Sequence, residues 1–131
     1  MLRLGLIISF LVVLLPAAVV ADQRQIITFQ AEAYNAHDVE EYASYFHADI
    51  EVYNYPDSPI TTGHGSLIAT TKSTFADRSP KTEIINTIEI NNKVIAHEMA
   101  SFVVKGYRQS IPVVKIYEFK NGLIRRMTFL N

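Results

Sequence analysis

The chain has 131 residues, with 12 basic and 13 acidic side chains and a formal net charge of −1. This balance lacks the basic footprint of a nucleic-acid-binding surface, so no nucleic-acid partner is expected. The chain contains no cysteine, which excludes disulfides, a lipid-anchoring cysteine and thiol chemistry.

The N-terminal segment has the pattern of a secretory signal. Arg3 supplies a positive charge, an apolar run continues to Leu15, and Val19-Val20-Ala21 is a small-residue cleavage site. We therefore predict that residues 1–21 are a signal peptide cleaved after Ala21. Residues 22–131 would then form one domain, secreted or periplasmic and free of the membrane. The alternative is an uncleaved anchor, although the apolar run is short for a membrane span.

Two helices are predicted next, over residues 23–36 and from residue 39 onward. Asp38 and Glu41 are three residues apart, which is the spacing of a capping box at the start of the second helix. The apolar residues of that helix recur at i, i+3, i+4 and i+7, which predicts one buried face. They are Val39, Tyr42, Ala43 and Phe46.

After the second helix the pattern changes to period two, which is typical of a strand. Ile50, Val52 and Asn54 fall on the same side of this strand. Residues 56–65 contain two prolines and two glycines, which predicts a loop. A third helix is predicted over residues 66–76.

From Thr82 onward polar and apolar residues alternate almost without interruption. This pattern predicts an antiparallel meander with strands at 83–90, 93–104, 109–119 and 123–130. The predicted fold class is α+β, with three helices packed on a curved, mainly antiparallel sheet in the order α-α-β-α-β-β-β-β.

The predicted hairpins bring a charged pair together on an apolar face. If residues 105–108 form a four-residue loop, Glu98 pairs with Lys115, and Ala96 pairs with Tyr117. A three-residue loop at 120–122 then places the next strand beside this one. It sets Arg125, Met127 and Phe129 against Tyr117, Lys115 and Val113.

Glu98 and Lys115 are the candidate catalytic residues. A carboxylate and an ammonium in an apolar concavity hold each other ionised and titrate as a coupled pair. Glu98 would act as a base and Lys115 as an electrostatic stabiliser. The alternative is a purely structural ion pair.

Several aromatic side chains would either line a hydrophobic cavity or fill the core. They are Tyr34, Phe46, Phe102, Tyr117 and Phe129. Met127, beside Lys115 in the predicted register, joins Tyr34, Tyr117 and Phe129 as a candidate pocket residue.

The four histidines lie on different predicted elements, without HxH or HExxH spacing. No metal site and no cofactor are therefore expected. His64, between two glycines, would lie at the pocket mouth or in an exposed loop.

The other face of the meander is also apolar, and three short helices cannot cover both faces. A homodimer through this outer face is therefore predicted. Its apolar residues are Ile95, Met99, Val103, Val114 and Ile116.

Two segments resemble the nuclear-transport-factor-2-like superfamily, within its SnoaL-like and ketosteroid-isomerase-like branch. They are YNAHDVEEYASYFHADIEVYN, residues 34–54, and IYEFKNGLIRRMTFLN, residues 116–131. The order of elements agrees over nearly all of residues 22–131. The resemblance implies a cone-shaped domain and a homodimer.

The resemblance also assigns three positions of an isomerase site. Ketosteroid isomerases use an aspartate base, with a tyrosine and a protonated aspartic acid as hydrogen-bond donors. Matching this chain to that pattern places Gln30 at the tyrosine, Asn54 at the base and Lys115 at the acid. Because Asn54 cannot take up a proton at neutral pH, that mechanism is not expected.

Three functions remain open from the sequence. In the first, the domain binds a small apolar or weakly acidic molecule, with Asn54 and Lys115 fixing its polar end. In the second, it is a cofactor-independent isomerase, cyclase or hydrolase that uses Glu98 for proton transfer. In the third, it is a dimeric interaction module without a ligand.

Overall fold

The structure of the chain, a computed structural model, describes residues 11–14 and 21–130. Most of the predicted signal peptide therefore lies outside the described residues. Within the two described ranges, no helix has the length and apolar character needed to cross a membrane.

Helix α1, Gln23–Asn35, begins at a complete capping box. The Asp22 side chain accepts from the backbone N–H of Gln25, and the Gln25 side chain accepts from the backbone N–H of Asp22. The two bonds satisfy backbone donors that the first helical turn leaves unpaired. The helix thus begins directly after the predicted cleavage site.

Helix α2, Val39–Ser44, is shorter than its apolar periodicity predicts. The Asp38 carboxylate accepts from the backbone N–H of Glu41 as expected, whereas the Glu41 carboxylate accepts from the Tyr45 hydroxyl. The predicted capping box is therefore only half formed. Phe46 is buried as predicted, but it opens a strand instead of continuing the helix.

Six strands and a third helix complete the domain. The strands are β1 Phe46–Asn54, β2 Ser58–Thr62, β3 Lys81–Ile90, β4 Lys93–Val104, β5 Tyr107–Lys120 and β6 Leu123–Leu130, and helix α3 is His64–Arg78. The strands form one sheet in the order β2-β1-β6-β5-β4-β3. All neighbours are antiparallel except β1 and β6, which are parallel. This architecture confirms the predicted α+β fold class.

The segment predicted as a loop, residues 56–65, contains the whole of β2 and the start of α3. Strand β2 pairs with β1 along one edge of the sheet, and Thr62 lies opposite Glu51. Two prolines, Pro56 and Pro59, conceal this strand in the sequence because proline is rare inside sheets and tolerated at their edges.

The β4–β5 turn corrects the predicted register. It has two residues, Lys105 and Gly106, with φ angles of 50° and 78°, which is the left-handed conformation of a tight hairpin turn. Glu98 therefore lies opposite Val113, two residues from the predicted pairing. Because side chains alternate with period two, Glu98 and Lys115 stay on the same face, as diagonal neighbours.

The predicted β5–β6 register is also wrong, here through a shorter turn and an irregularity in the ladder. Asn121 and Gly122 form another two-residue turn with positive φ angles. The shorter turn shifts the pairing by one residue, and an irregularity in the ladder between Glu118 and Phe119 shifts it by one more. Met127 therefore lies opposite Tyr117, and Phe129 lies opposite Lys115. Both still belong to the neighbourhood of the charged pair.

The helices pack against one face of the sheet and enclose the core. Its fully buried apolar side chains come from every layer and include Ile27, Ile50, Val94, Tyr117 and Ile124. One carboxylate, Glu98, is equally buried, with 0% of its surface exposed. A buried charge is costly unless it is paired and hydrogen-bonded, so its partners define the first part of the site.

Candidate ligand-binding site

Glu98 accepts hydrogen bonds from three side chains of the two adjacent strands. Its Oε1 accepts from Thr82 Oγ1 at 2.7 Å and from Lys115 Nζ at 3.1 Å. Its Oε2 accepts from the Tyr117 hydroxyl at 2.7 Å. These donors and the positive charge of Lys115 compensate for the lost hydration of the carboxylate.

Helix α1 extends this network through Gln30, which is buried. The Gln30 amide donates to the Tyr117 hydroxyl at 3.4 Å and to the Ile27 carbonyl oxygen at 2.9 Å. The chain of contacts therefore runs from α1 through β5 to β4. Gln30 positions Tyr117, and Tyr117 in turn holds Glu98.

A cavity of about 320 Å³ lies beside this network, between α3 and the sheet. Its inner wall is formed by buried or half-buried side chains, including Tyr34, Tyr42, Val52, Leu67, Thr71, Val113, Lys115, Met127 and Phe129. Exposed lining residues mark its mouth, namely Ile60, Thr70, Arg78 and Lys81. The volume lies near the lower end of the range for small-molecule pockets, roughly 300 to 1,000 Å³.

Lys115 connects the cavity to the buried network. Its side chain is 12% exposed, and its Nζ lies 5.3 Å from the centre of the Phe129 ring. An ammonium has three N–H donors, and the bond to Glu98 uses one of them. Lys115 therefore presents donors to the cavity while Glu98 neutralises its charge from behind.

Two tyrosines add neutral hydroxyl groups to the same wall. Burial, and secondly the negative charge of Glu98, raises the pKa of Tyr34 to about 12. Burial also raises the pKa of Tyr42, with smaller contributions from Tyr34 and Glu98. Both phenols stay protonated at neutral pH and act as donors or acceptors for an oxygen-bearing ligand.

Tyr117 lies deeper, with no exposed surface. Burial and then the adjacent Glu98 raise the pKa of its hydroxyl well above the ordinary value. The hydroxyl therefore remains a donor to the Glu98 carboxylate at neutral pH, and the carboxylate stays stabilised in its buried position.

The structure separates the predicted site residues into three groups. Tyr34, Lys115, Met127 and Phe129 line the cavity. Gln30, Glu98 and Tyr117 form the network behind it. Asn54 is exposed at the end of β1 and is not among the residues that line the cavity.

Two of the histidines bind backbone carbonyl groups. His64 Nε2 is 2.7 Å from the Ala43 carbonyl oxygen, which ties the start of α3 to α2. His37 Nε2 is 2.8 Å from the Pro80 carbonyl oxygen, and its ring stacks on Phe75. Of the two positions predicted for His64, neither describes it well, because it is half-buried between two helices and is not a lining residue.

Helix α3 contributes lining residues that are not predicted from the sequence. Its lining residues recur at the helical spacing i, i+3, i+4, i+7 and i+11, so they form one face. They are Leu67, Thr70, Thr71, Thr74 and Arg78. The period was readable in the sequence, but hydroxyl groups replace the apolar residues that usually reveal such a face.

The comparison with protein families agrees with this fold. A family model described as the SnoaL-like domain matches residues 28–127, and the chain therefore belongs to the SnoaL-like family, within the nuclear-transport-factor-2-like superfamily. No curated protein matches the chain in sequence.

Solved structures share the fold at low sequence identity. An uncharacterised cystatin-fold protein from Novosphingobium aromaticivorans is 22% identical, with a TM-score of 0.75 over 82% of this chain and 96% of that one. A hypothetical protein with a ketosteroid-isomerase-like fold from Catenulispora acidiphila, in complex with trimethylamine, is 16% identical, with a TM-score of 0.72 over 80% and 83%. An LEH-like epoxide hydrolase from M. tuberculosis is 13% identical, with a TM-score of 0.73 over 81% and 79%. These likenesses concern the fold alone.

The ion pair leads to a stability prediction. Lys115→Met removes the cation but keeps an unbranched apolar chain, so the Glu98 carboxylate stays buried without its counter-charge. We expect the free energy of unfolding in urea to fall by about 3 kcal/mol.

The double variant Glu98→Gln/Lys115→Met is the matched control, because it removes both charges and keeps both side-chain volumes. It is expected to recover most of the lost stability. Equal losses in the single and double variants would show that the two charges are not coupled.

Proposed function

We propose that this protein binds a small, mainly apolar molecule in the cavity, with a carbonyl or weakly acidic hydroxyl oxygen directed at Lys115. The observation that carries the proposal is the position of Lys115, at the inner wall of an otherwise largely apolar cavity of about 320 Å³. A few polar groups in an apolar pocket are the usual arrangement for orienting a small ligand.

The charge on the inner wall favours an oxygen acceptor. Lys115 retains N–H donors beyond its bond to Glu98, and Tyr34 and Tyr42 lie on the same wall as neutral phenols. A carbonyl or hydroxyl oxygen would accept from these donors without displacing Glu98. The sequence-derived role of Asn54 at this polar end has no support from its exposed position.

An enzymatic function is the second candidate, and the convergence of Lys115, Tyr34 and Tyr42 favours it. A cation and two neutral hydroxyl groups in a water-poor site stabilise an oxyanion that develops next to a carbonyl. Glu98 is not a lining residue, so it would take part in proton transfer through Lys115 or Tyr117. The isomerase, cyclase and hydrolase alternatives all fall within this candidate.

The third alternative, an interaction module without a ligand, expects a filled core. The cavity of about 320 Å³ argues against this alternative. Protein interiors are normally close-packed, and a void removes packing contacts without any benefit to a module that binds no ligand.

We further propose export after cleavage at Ala21 and a homodimer through the outer sheet face. The outer residues Ile95, Met99, Val114 and Ile116 are only half-buried in the single chain. They form an apolar area across β4 and β5 that a second copy, related by a two-fold axis, would cover.

Filling the cavity tests ligand binding. The neutral fluorophore N-phenyl-1-naphthylamine is expected to bind the wild-type protein, and Ala100→Trp, which adds an indole at the cavity wall, is expected to weaken binding by about tenfold or more. Fluorescence titration measures both affinities.

The exposed position Ala69 on α3 supplies the control, since it does not line the cavity. Ala69→Trp should leave the affinity unchanged. The natural chain has no tryptophan, so a blue-shifted emission from Ala100→Trp, relative to Ala69→Trp, verifies that the new ring is buried. Unchanged binding in an Ala100→Trp protein whose indole is buried would contradict the proposal.

Exchange of an acidic C–H proton tests the enzymatic candidate. An enzyme of this kind should accelerate α-proton exchange of 2-tetralone in D₂O, followed by NMR, and Glu98→Gln should slow it by about 100-fold while the fluorophore still binds. Glu83→Gln, an exposed change on β3, is the control. A rate equal to that of buffer, or no effect of Glu98→Gln, would contradict proton abstraction next to a carbonyl, which the isomerase and cyclase alternatives require.

A native mass spectrum tests export and dimerisation together. The full chain, expressed in a bacterium and recovered outside the cytoplasm, should have the mass of a dimer whose subunits begin at Asp22. Ile116→Glu, which places a charge on the outer face, should yield monomers, whereas Tyr107→Glu at the exposed hairpin tip should not. A wild-type monomer, or a retained leader, would overturn the corresponding proposal.

A further inference from the structure

The mouth of the cavity carries a concentration of positive charge that the proposed function does not use. Arg78, at the end of α3, and Lys81, at the start of β3, both line the cavity and are exposed. Arg108 on β5 lies next to them. We refer to Arg78, Lys81 and Arg108 as the cationic rim.

Hydrogen bonds hold the Arg108 side chain beside the other two cations. Arg108 Nη1 donates to Ser101 Oγ at 2.8 Å, and its Nη2 donates to the Ser79 carbonyl oxygen at 3.1 Å. Ser79 follows Arg78 in the chain, and Ser101 lies opposite Lys81 in the β3–β4 ladder. The Arg108 guanidinium is therefore held next to the segment that carries the other two cations, between Ser79 and Ser101.

The described residues provide no carboxylate within ion-pair distance of the rim. Within residues 21–130, the ion pairs involve other basic side chains, and none includes Arg78, Lys81 or Arg108. The described lining residues of the cavity include no aspartate or glutamate. The guanidinium of Arg78 instead lies 5.9 Å from the centre of the Phe102 ring, at the edge of the apolar lining.

The two ends of the cavity thus differ in charge. At the inner wall, Glu98 compensates for Lys115 at 3.1 Å. At the mouth, Arg78 and Lys81, with Arg108 beside them, form no such ion pair within the described residues. Because these side chains are exposed, water can still hydrate a bound anion there. An anionic group would therefore be stabilised at the rim at a lower desolvation cost than at the inner wall.

We infer that the ligand is an amphipathic carboxylate, with its apolar body in the cavity and its carboxylate at the cationic rim. This inference rests on the proposed function, since it needs a cavity that binds small molecules. It adds a second recognition point, because the inner oxygen is directed at Lys115 and the carboxylate faces Arg78, Lys81 and Arg108.

The test compares octanoate with 1-octanol, which have the same apolar chain and differ in charge. Each displaces N-phenyl-1-naphthylamine, and the dissociation constants are measured at low salt. The variant Arg78→Gln/Lys81→Gln should weaken octanoate by about fivefold and leave 1-octanol unchanged, and about 0.5 M salt should have a similar selective effect.

The control Lys72→Gln/Lys120→Gln removes the same charge from exposed positions that do not line the cavity. It should leave the octanoate affinity unchanged, which separates a local rim effect from a change in net charge. An equal loss of octanoate affinity in both double variants would overturn the inference.

Two further outcomes would also overturn it. If octanoate affinity fell in Glu98→Gln/Lys115→Met but not in Arg78→Gln/Lys81→Gln, the carboxylate would bind at the inner wall. If 1-octanol and the fluorophore bound but octanoate did not, the rim would not be a carboxylate site, whereas the proposed function would stand. Failure of all three probes would remove the proposed function as well.

Discussion

The structure depends on a single buried carboxylate. Glu98 has no contact with solvent, yet it accepts from Thr82 on β3 and from Lys115 and Tyr117 on β5. Gln30 adds helix α1 through Tyr117. Since an unpaired charge in this position would cost several kcal/mol, any packing of these elements that separates Glu98 from its donors is disfavoured.

The same carboxylate shapes the chemistry of the cavity. It keeps a lysine at an apolar wall without leaving a net charge there, and it favours the neutral form of the surrounding tyrosines. The inner wall therefore offers directed hydrogen bonds, whereas the rim at Arg78, Lys81 and Arg108 offers uncompensated charge. A ligand with an acceptor at one end and an anion at the other would satisfy both.

Much of this arrangement can be predicted from the sequence. The face on which a strand residue lies depends only on whether its position is odd or even, so errors of two residues in register do not change it. The predicted turn between β4 and β5 is too long by two residues, yet Glu98, Lys115 and Tyr117 lie on the predicted face, since a shift of two residues preserves it. On β6 the face is preserved because the irregularity between Glu118 and Phe119 adds a second one-residue shift to that of the shorter turn. The length of the β4–β5 turn is harder to predict, because Lys105 adopts a positive φ and lysine is not a residue type that indicates this conformation. Strand β2 is not predicted because it is flanked and interrupted by prolines. The lining face of α3 is not predicted because threonines occupy positions where apolar residues are expected. Asn54 continues the alternation of β1, but a strand can run beyond the elements that cover it, which alternation does not reveal.

The strand order has a consequence for how the domain assembles during synthesis. Strand β6 is the last in chain order, but it lies between β1 and β5 and pairs in parallel with β1. The β1–β2 hairpin and the β3–β4–β5 meander therefore have no shared hydrogen bonds until β6 joins them. Contacts between such distant segments form late, because closing the long intervening loop costs entropy before any pairing repays it. The sheet consequently cannot be completed, nor the core closed, until β6 has left the ribosome.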